Sequence, residues 1–255
     1  MMKKISFFLI ASFIIVLISV TGYADEPLVF VGIENGVPYS YEENGVKKGI
    51  LYESITEIIR RLGIDAKIEL VPFNSMLNVL QNGTADATFM IQRNKERESY
   101  LLYSRLPINT SSINIYTRRG KEFTFNEVKD LYNKKVGKQP ASFISSEFDQ
   151  AAKADRFTLD EAIQGESNLK KLIADRIDCY VGDLQASRFY IKRLKLQDEI
   201  VELSTPVVSG LQTYFALSKA GKRIKNKKAF LNKISQVIKA LQDDGTFERI
   251  QNSYR

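Results

Sequence analysis

Two hydrophobic periods follow one another along the chain. "LVFVGI" (residues 28–33) is a short β-rich run bounded by Pro27 and by a loop holding Gly36 and Pro38, and it reads as a strand. In "GILYESITEIIRRLG", Leu51, Ile55, Ile58 and Leu62 fall at steps of four, three and four, which is one face of a helix stopped by Gly63. "AKIELV" returns to strand, "NSMLNVLQNG" predicts a second helix ending at Gly83, and "ADATFMI" predicts the next strand. This β-α-β-α-β order predicts an α/β fold whose parallel sheet is covered by helices on both faces.

The middle of the chain repeats the scheme. "FTFNEVKDLY" reads as a short helix, "KKVGKQ" as strand, "SFISSEFDQAAK" as helix, "RFTL" as strand, "GESNLKKLIADR" as helix, "IDCYVG" as strand and "LQASRFYIKRL" as helix. Extended stretches flank this middle: "SSINIYTRR" (111–119) and "VVSGLQTYFALS" (207–218). The closing segment carries a helical stripe of Phe230, Ile234, Val237 and Leu241. A lobe that hands over to a second through one strand and returns through another is a clamp with two hinge strands. The expected division is residues 25–113 with 208–255 as lobe 1 and 114–207 as lobe 2. Its cleft is expected at the carboxyl ends of the parallel strands, where open α/β sheets bind ligands.

The N-terminus changes the picture of where this clamp works. Lys3 and Lys4 precede an apolar run that ends in Gly22, Tyr23 and Ala24, a signal-peptide pattern with cleavage expected after residue 24. The run approaches the length of a membrane span, but the small residues followed by Asp25 and Glu26 favour cleavage. No second apolar stretch of that length follows, so a soluble periplasmic protein is expected. Cys179 is the only cysteine and lies far from the cleavage point, which excludes a disulfide framework and a lipid anchor at that point.

Charge and composition remove several kinds of chemistry. The net charge of +7 falls to about +5 once Lys3 and Lys4 are set aside, and it is scattered. The one basic run, Lys219 to Lys228, reads as a solvated turn and helix start, and no nucleic-acid partner is expected. Histidine is absent. With one cysteine besides, the usual zinc, copper and haem sites and Ser-His or Cys-His nucleophile pairs are excluded, so no metal and no cofactor is expected.

The order of elements together with "MLNVLQNGTADA", "NKERESYLLYS", "LKKLIADRIDCYVGD" and "LQDDGTFERI" resembles the periplasmic substrate-binding proteins that feed polar amino acids to ABC importers, solute-binding protein family 3. The resemblance covers essentially the whole chain after the leader. It implies the two-lobed periplasmic-binding-protein fold, an amino-acid-like ligand, an inner-membrane ABC permease as partner, a monomer and no enzymatic activity.

It also implies roles for particular residues. Glu96 and Arg97 match the family's Glu-Arg pair, whose arginine binds the ligand's α-carboxylate. A guanidinium meets a carboxylate through two parallel hydrogen bonds, which lysine cannot do. By composition alone an arginine in a polar loop is more often a solvated surface residue, and it is the motif position that turns the reading of Arg97 round. Asp183 stands where the family's aspartate receives the ligand's ammonium group, and it reads equally as the N-cap of the next helix. Phe73 matches the family's aromatic stacking position, or else packs as a helix-entry staple. Tyr39 and Tyr41 lie in the first strand-to-helix loop at the expected cleft rim. Ser142 precedes a second-lobe helix where the family presents N–H groups to the carboxylate, or is simply an N-cap.

Departures from the family's pattern bear on specificity. Gln92 and Asn94 replace its threonines, and Gln92 is counted among the ligand contacts. Ala141 and Ser142 replace a Gly-Thr pair, and Gly36 stands where an aromatic lid is usual. Arg93 is an extra positive charge that would suit a second acidic group on the ligand. Two other readings stay open: an enzyme resembling cyclohexadienyl or prephenate dehydratases, with Glu34 or Glu166 as general acid, and a ligand-sensing partner of a membrane receptor.

Overall fold

The computed structural model describes residues 26–140 and 143–254. The expected signal peptide and Ser142 lie outside the described residues. Strand β1 (Leu28–Ile33) has its first five residues buried and pairs in parallel with β4 (Ala66–Val71) and β5 (Ala87–Ile91). Such burial on both faces is what a strand inside a helix-covered parallel sheet requires. Gly32 is part of the close fit, since a Cβ there would stand 2.5 Å from the Phe89 ring.

Helix α1 (Ile50–Leu62) buries Leu51, Ile55 and Ile58 as the spacing predicts and ends on Gly63 in the left-handed conformation. Helix α2 (Phe73–Gln81) follows β4. Between β1 and α1, where the sequence predicts a loop, lies a hairpin: β2 (Tyr41–Glu43) and β3 (Val46–Lys48) turn through Asn44 and Gly45, both at positive φ. That is the Asn-Gly pair a tight hairpin turn demands.

The second lobe holds β8 (Lys135–Lys138), β9 (Thr158–Glu161) and β10 (Cys179–Asp183), parallel in the order β10-β8-β9. Helices α4 (Ser146–Lys153), α5 (Gly165–Ile173) and α6 (Leu184–Arg193) connect and flank these strands, and a 3₁₀ turn at Val128–Leu131 takes the place of the expected short helix. The chain closes with α7 (Lys227–Asp243), which carries the stripe from Phe230 to Leu241, and α8 (Thr246–Ser253), the two separated at Gly245, whose φ is 72°.

The two lobes meet along β7 (Asn109–Arg118) and β12 (Val208–Ser218), the hinge strands. They run antiparallel to one another, Ser111 opposite Leu211 and Asn109 opposite Thr213. Beyond the crossing, β12 pairs with β5 in one lobe and β7 pairs with β10 in the other. The described sheet therefore reads β4-β1-β5-β12-β7-β10-β8-β9, with β6 (Leu101–Tyr103) paired to β12 and β11 (Ile200–Glu202) paired to β7. The apolar cores divide accordingly. Phe30, Ile55, Phe89 and Ile234 centre one cluster of the first lobe, and Met76 and Leu80 another. Leu131, Val136 and Phe148 centre one of the second lobe, with Tyr116, Leu169 and Tyr180 in its neighbour. None of the four clusters spans both lobes, and lobes with separate cores joined by two strands are the construction of a hinged clamp.

Candidate functional site

The carboxyl ends of the parallel strands in both lobes converge on the hinge strands, and a cavity of about 210 Å³ opens there. Asp183 reaches it as the last residue of β10. Its Oδ1 accepts the Ala186 N–H at 3.0 Å, so it caps α6. The carboxylate has capacity left. Tyr39, from the opposite lobe, donates its hydroxyl to Oδ1 at 2.7 Å, and Ser111 of β7 donates to Oδ2 at 2.8 Å. Capping and a cleft-facing role thus coexist in one side chain.

Burial pushes the Asp183 carboxyl above the ordinary carboxylate value, against the pull of the Ala186, Tyr39 and Ser111 hydrogen bonds. Burial, reinforced by the Asp183 charge, raises the Tyr39 phenol as well. Among the described residues no Lys or Arg pairs with Asp183. A buried carboxylate held only by neutral donors remains electrostatically unsatisfied.

Arg97 lies on the first lobe beyond the end of β5, in the short helix α3 (Lys95–Glu98). Asn94 caps that helix by accepting the Arg97 N–H at 2.8 Å. The guanidinium donates Nη1 to the Gln92 carbonyl at 3.0 Å and sits over the Phe73 ring, 5.6 Å from its centre. No carboxylate among the described residues pairs with Arg97. Arg97 and Phe73 do not line the cavity that holds Asp183 and Tyr39; Gln92 does, and its carbonyl accepts from the Arg97 guanidinium outside it.

The other sequence-level candidates fall in different places. Phe73 opens α2 and is 39% exposed, so it is not a core staple. Tyr41 does not line the cavity. It is buried in β2 with its ring 6.3 Å from Phe189 of the second lobe, because the unforeseen hairpin turns it away from the cleft. Arg93 is tied to Glu98 and packs over Tyr103, so it is not a spare charge for a second ligand carboxylate. Glu34 is exposed and Glu166 pairs with Lys170 at 2.6 Å; neither lines the cavity. Among the described residues no cluster of acidic, Cys or His side chains could hold a metal ion.

Sequence reasoning passed over the hinge strands as a source of site residues. Asn109, Ser111 and Thr213 reach the cavity from them, as does Leu211. The available signal was polar residues inside strands that the topology makes central, where a side chain must find either a partner or a ligand.

Comparison with known proteins agrees with this architecture. The model of the bacterial extracellular solute-binding proteins, family 3, matches residues 29–255. No curated protein sequence matches the chain. Among solved structures, an ancestral cationic amino acid solute-binding protein superposes with a TM-score of 0.72 at 19% identity, covering 89% of this chain and 95% of its own. The second substrate-binding domain of GlnP from Lactococcus lactis, in its open conformation, gives 0.69 at 18% identity, with 89% and 94% covered. A histidine kinase sensor domain similar to periplasmic binding proteins gives 0.66 at 18% identity, with 89% and 95% covered. Identities this low carry the fold alone, whereas the family model spans nearly the whole described chain: the protein belongs to the bacterial extracellular solute-binding proteins, family 3.

Proposed function

We propose that the protein is an exported binding protein that captures a small amino acid between its lobes and delivers it to an inner-membrane ABC permease. The reading treats residues 1–24 as the export signal, residues 25–113 with 208–255 as one jaw and 114–207 as the other. One observation carries it: among the described residues, a guanidinium without a carboxylate partner on one jaw, and a buried carboxylate without a cationic partner on the other. A zwitterion supplies both missing charges at once. Arg97 offers a planar fork to the α-carboxylate, and Asp183 takes the ammonium group. Because the anchors stand on different jaws, the ligand gains both contacts only on closure and so favours the closed state. Two charge-assisted anchors with an apolar contact are in keeping with micromolar affinity, about 8 kcal/mol.

Thermal unfolding of the purified protein against the common amino acids, with Arg97→Ala alongside, tests the proposal. A ligand that binds only the native state raises the melting temperature with concentration. Stabilisation of the wild type but not of the variant is expected. An equal response in both removes Arg97 from the site, and no response to any amino acid removes the amino-acid reading. A second partner class is favoured by one likeness, that to a histidine kinase sensor domain. Ligand-dependent pull-down of a permease rather than a receptor distinguishes the two.

A further inference from the structure

We propose that the first-lobe hairpin and helix α6 form a second closing contact, outside the cleft, that sets the affinity of capture without touching the ligand. The contact presupposes the hinged capture proposed above. In β2, Tyr41 and Glu43 stand two positions apart and so share one face of the strand, with Glu42 between them exposed. In α6, Phe189 and Arg193 stand four positions apart and share one face of the helix. The two spacings match, about 6.6 Å along a strand against about 6 Å along a helix. The pairs accordingly meet in register. The Tyr41 and Phe189 rings pack edge to face at 6.3 Å, and the Arg193 guanidinium reaches Glu43 at 3.5 Å. None of these four side chains lines the cavity that holds Asp183.

Phe189 has a second partner on the first lobe. Its ring lies 6.5 Å from that of Tyr254, whose hydroxyl accepts the Gly49 N–H at 2.8 Å and donates to Glu53. One second-lobe ring thus sits against two first-lobe tyrosines, one from the hairpin and one just after α8. Tyr41 is itself held in place, buried with the Lys48 ammonium over its ring at 5.4 Å, while Lys48 also pairs with Glu43. The seam is not packed solid, because a cavity of about 370 Å³ opens beside it. A partly filled seam is one that hinge motion can make and break. Helix α6 couples this seam to the cleft. Asp183 caps it at the cavity, and Phe189 and Arg193 lie about 9 and 15 Å further along the same rod. Jaws that close on an amino acid therefore close this contact as well. Whatever holds the contact raises the closed population, and apparent affinity scales with the population of the form that retains the ligand.

The test joins small-angle scattering of the ligand-free protein to isothermal titration with glutamine, arginine, glutamate and leucine in turn, after unfolding and refolding to remove carried-over ligand. An edge-to-face ring pair shifts an equilibrium by about two- to tenfold. Phe189→Ala should therefore raise the radius of gyration and weaken every amino acid that binds by one common factor of that size. Tyr41→Ala should do the same, and the double variant should fall short of the product of the two single effects, because both remove one contact. Arg193→Glu changes an exposed side chain and leaves the fold alone. It sets two acids against each other and should weaken binding about twofold at low ionic strength, with the loss recovered in salt. A factor that differs between amino acids puts Phe189 in the ligand site and overturns the proposal. A wild-type radius of gyration and affinity in both Phe189→Ala and Arg193→Glu overturns it too. If none of the four amino acids binds the wild type, it is the capture reading that fails, and the scattering of Phe189→Ala still decides whether the contact holds the lobes together.

Discussion

Replacing Asp183 by Asn separates the charge of this residue from its structural duty. Asparagine caps helices as well as aspartate, so α6 keeps its Ala186 contact and one acceptor remains for the hydroxyls of Tyr39 or Ser111. What disappears is the negative charge that the ligand's ammonium group would meet. Removing one partner of a buried charge pair costs roughly 2–5 kcal/mol of binding, a fall in affinity of about thirtyfold at the least. The ligand-free protein responds differently. Burial sets the Asp183 carboxyl above its usual value. Such a group lends stability that is whole below the unfolded aspartate value, about 3.9, and is lost as pH rises through the folded value. The Asn variant should therefore show a shallower loss of ligand-free stability from acid toward neutral pH, while wild-type affinity for the ligand should strengthen over the same interval as the carboxylate ionises. Calorimetric titration and thermal melts across pH 3–8 measure both. Equal affinity in the two proteins, or identical pH slopes without ligand, would refute the reasoning.

Other consequences are local. Tyr39→Phe deletes the 2.7 Å hydroxyl bridge between the lobes; a hydrogen bond to a charged group is worth about 1.5–3 kcal/mol, so the ligand-free protein should populate more open forms, seen as a larger radius of gyration in small-angle scattering. Gly32→Ala forces a Cβ to within 2.5 Å of the Phe89 ring, and overpacking of this kind costs roughly 1–3 kcal/mol in chemical denaturation. Cys179 is fully buried, and burial pushes its thiol up to about 12. It should resist thiol reagents in the native protein and react at once in denaturant; rapid native labelling would place it wrongly.

Much of the architecture is legible in the order of apolar residues, because each period is a local property. The step of four, three and four in α1 and the continuous run of β1 specify element and buried face without reference to distant residues. Residue chemistry was equally legible: the absence of histidine bars whole classes of site, and a guanidinium beside Glu96 suits a carboxylate wherever the fold carries it. The Asn44-Gly45 turn is also a local signal, and the hairpin it specifies is what carries Tyr41 from the cleft rim to its packing against Phe189.

Only the tertiary structure decides what these residues meet. Tyr39, Ser111 and Asp183 come from a loop, a hinge strand and the far lobe, and no local pattern relates them. Their convergence depends on the antiparallel crossing of β7 and β12, which is set by long-range pairing. The same holds for Arg93 and Arg97, close neighbours of the same residue type. One is paired with Glu98 and the other lies over Phe73 with no acid beside it among the described residues, since packing rather than sequence position determines which charge finds a partner. The chain alone determines the parts of a two-jawed clamp and the chemistry they can offer. The fold determines which charges remain unpaired, and in a buried cleft an unpaired charge is what a ligand answers.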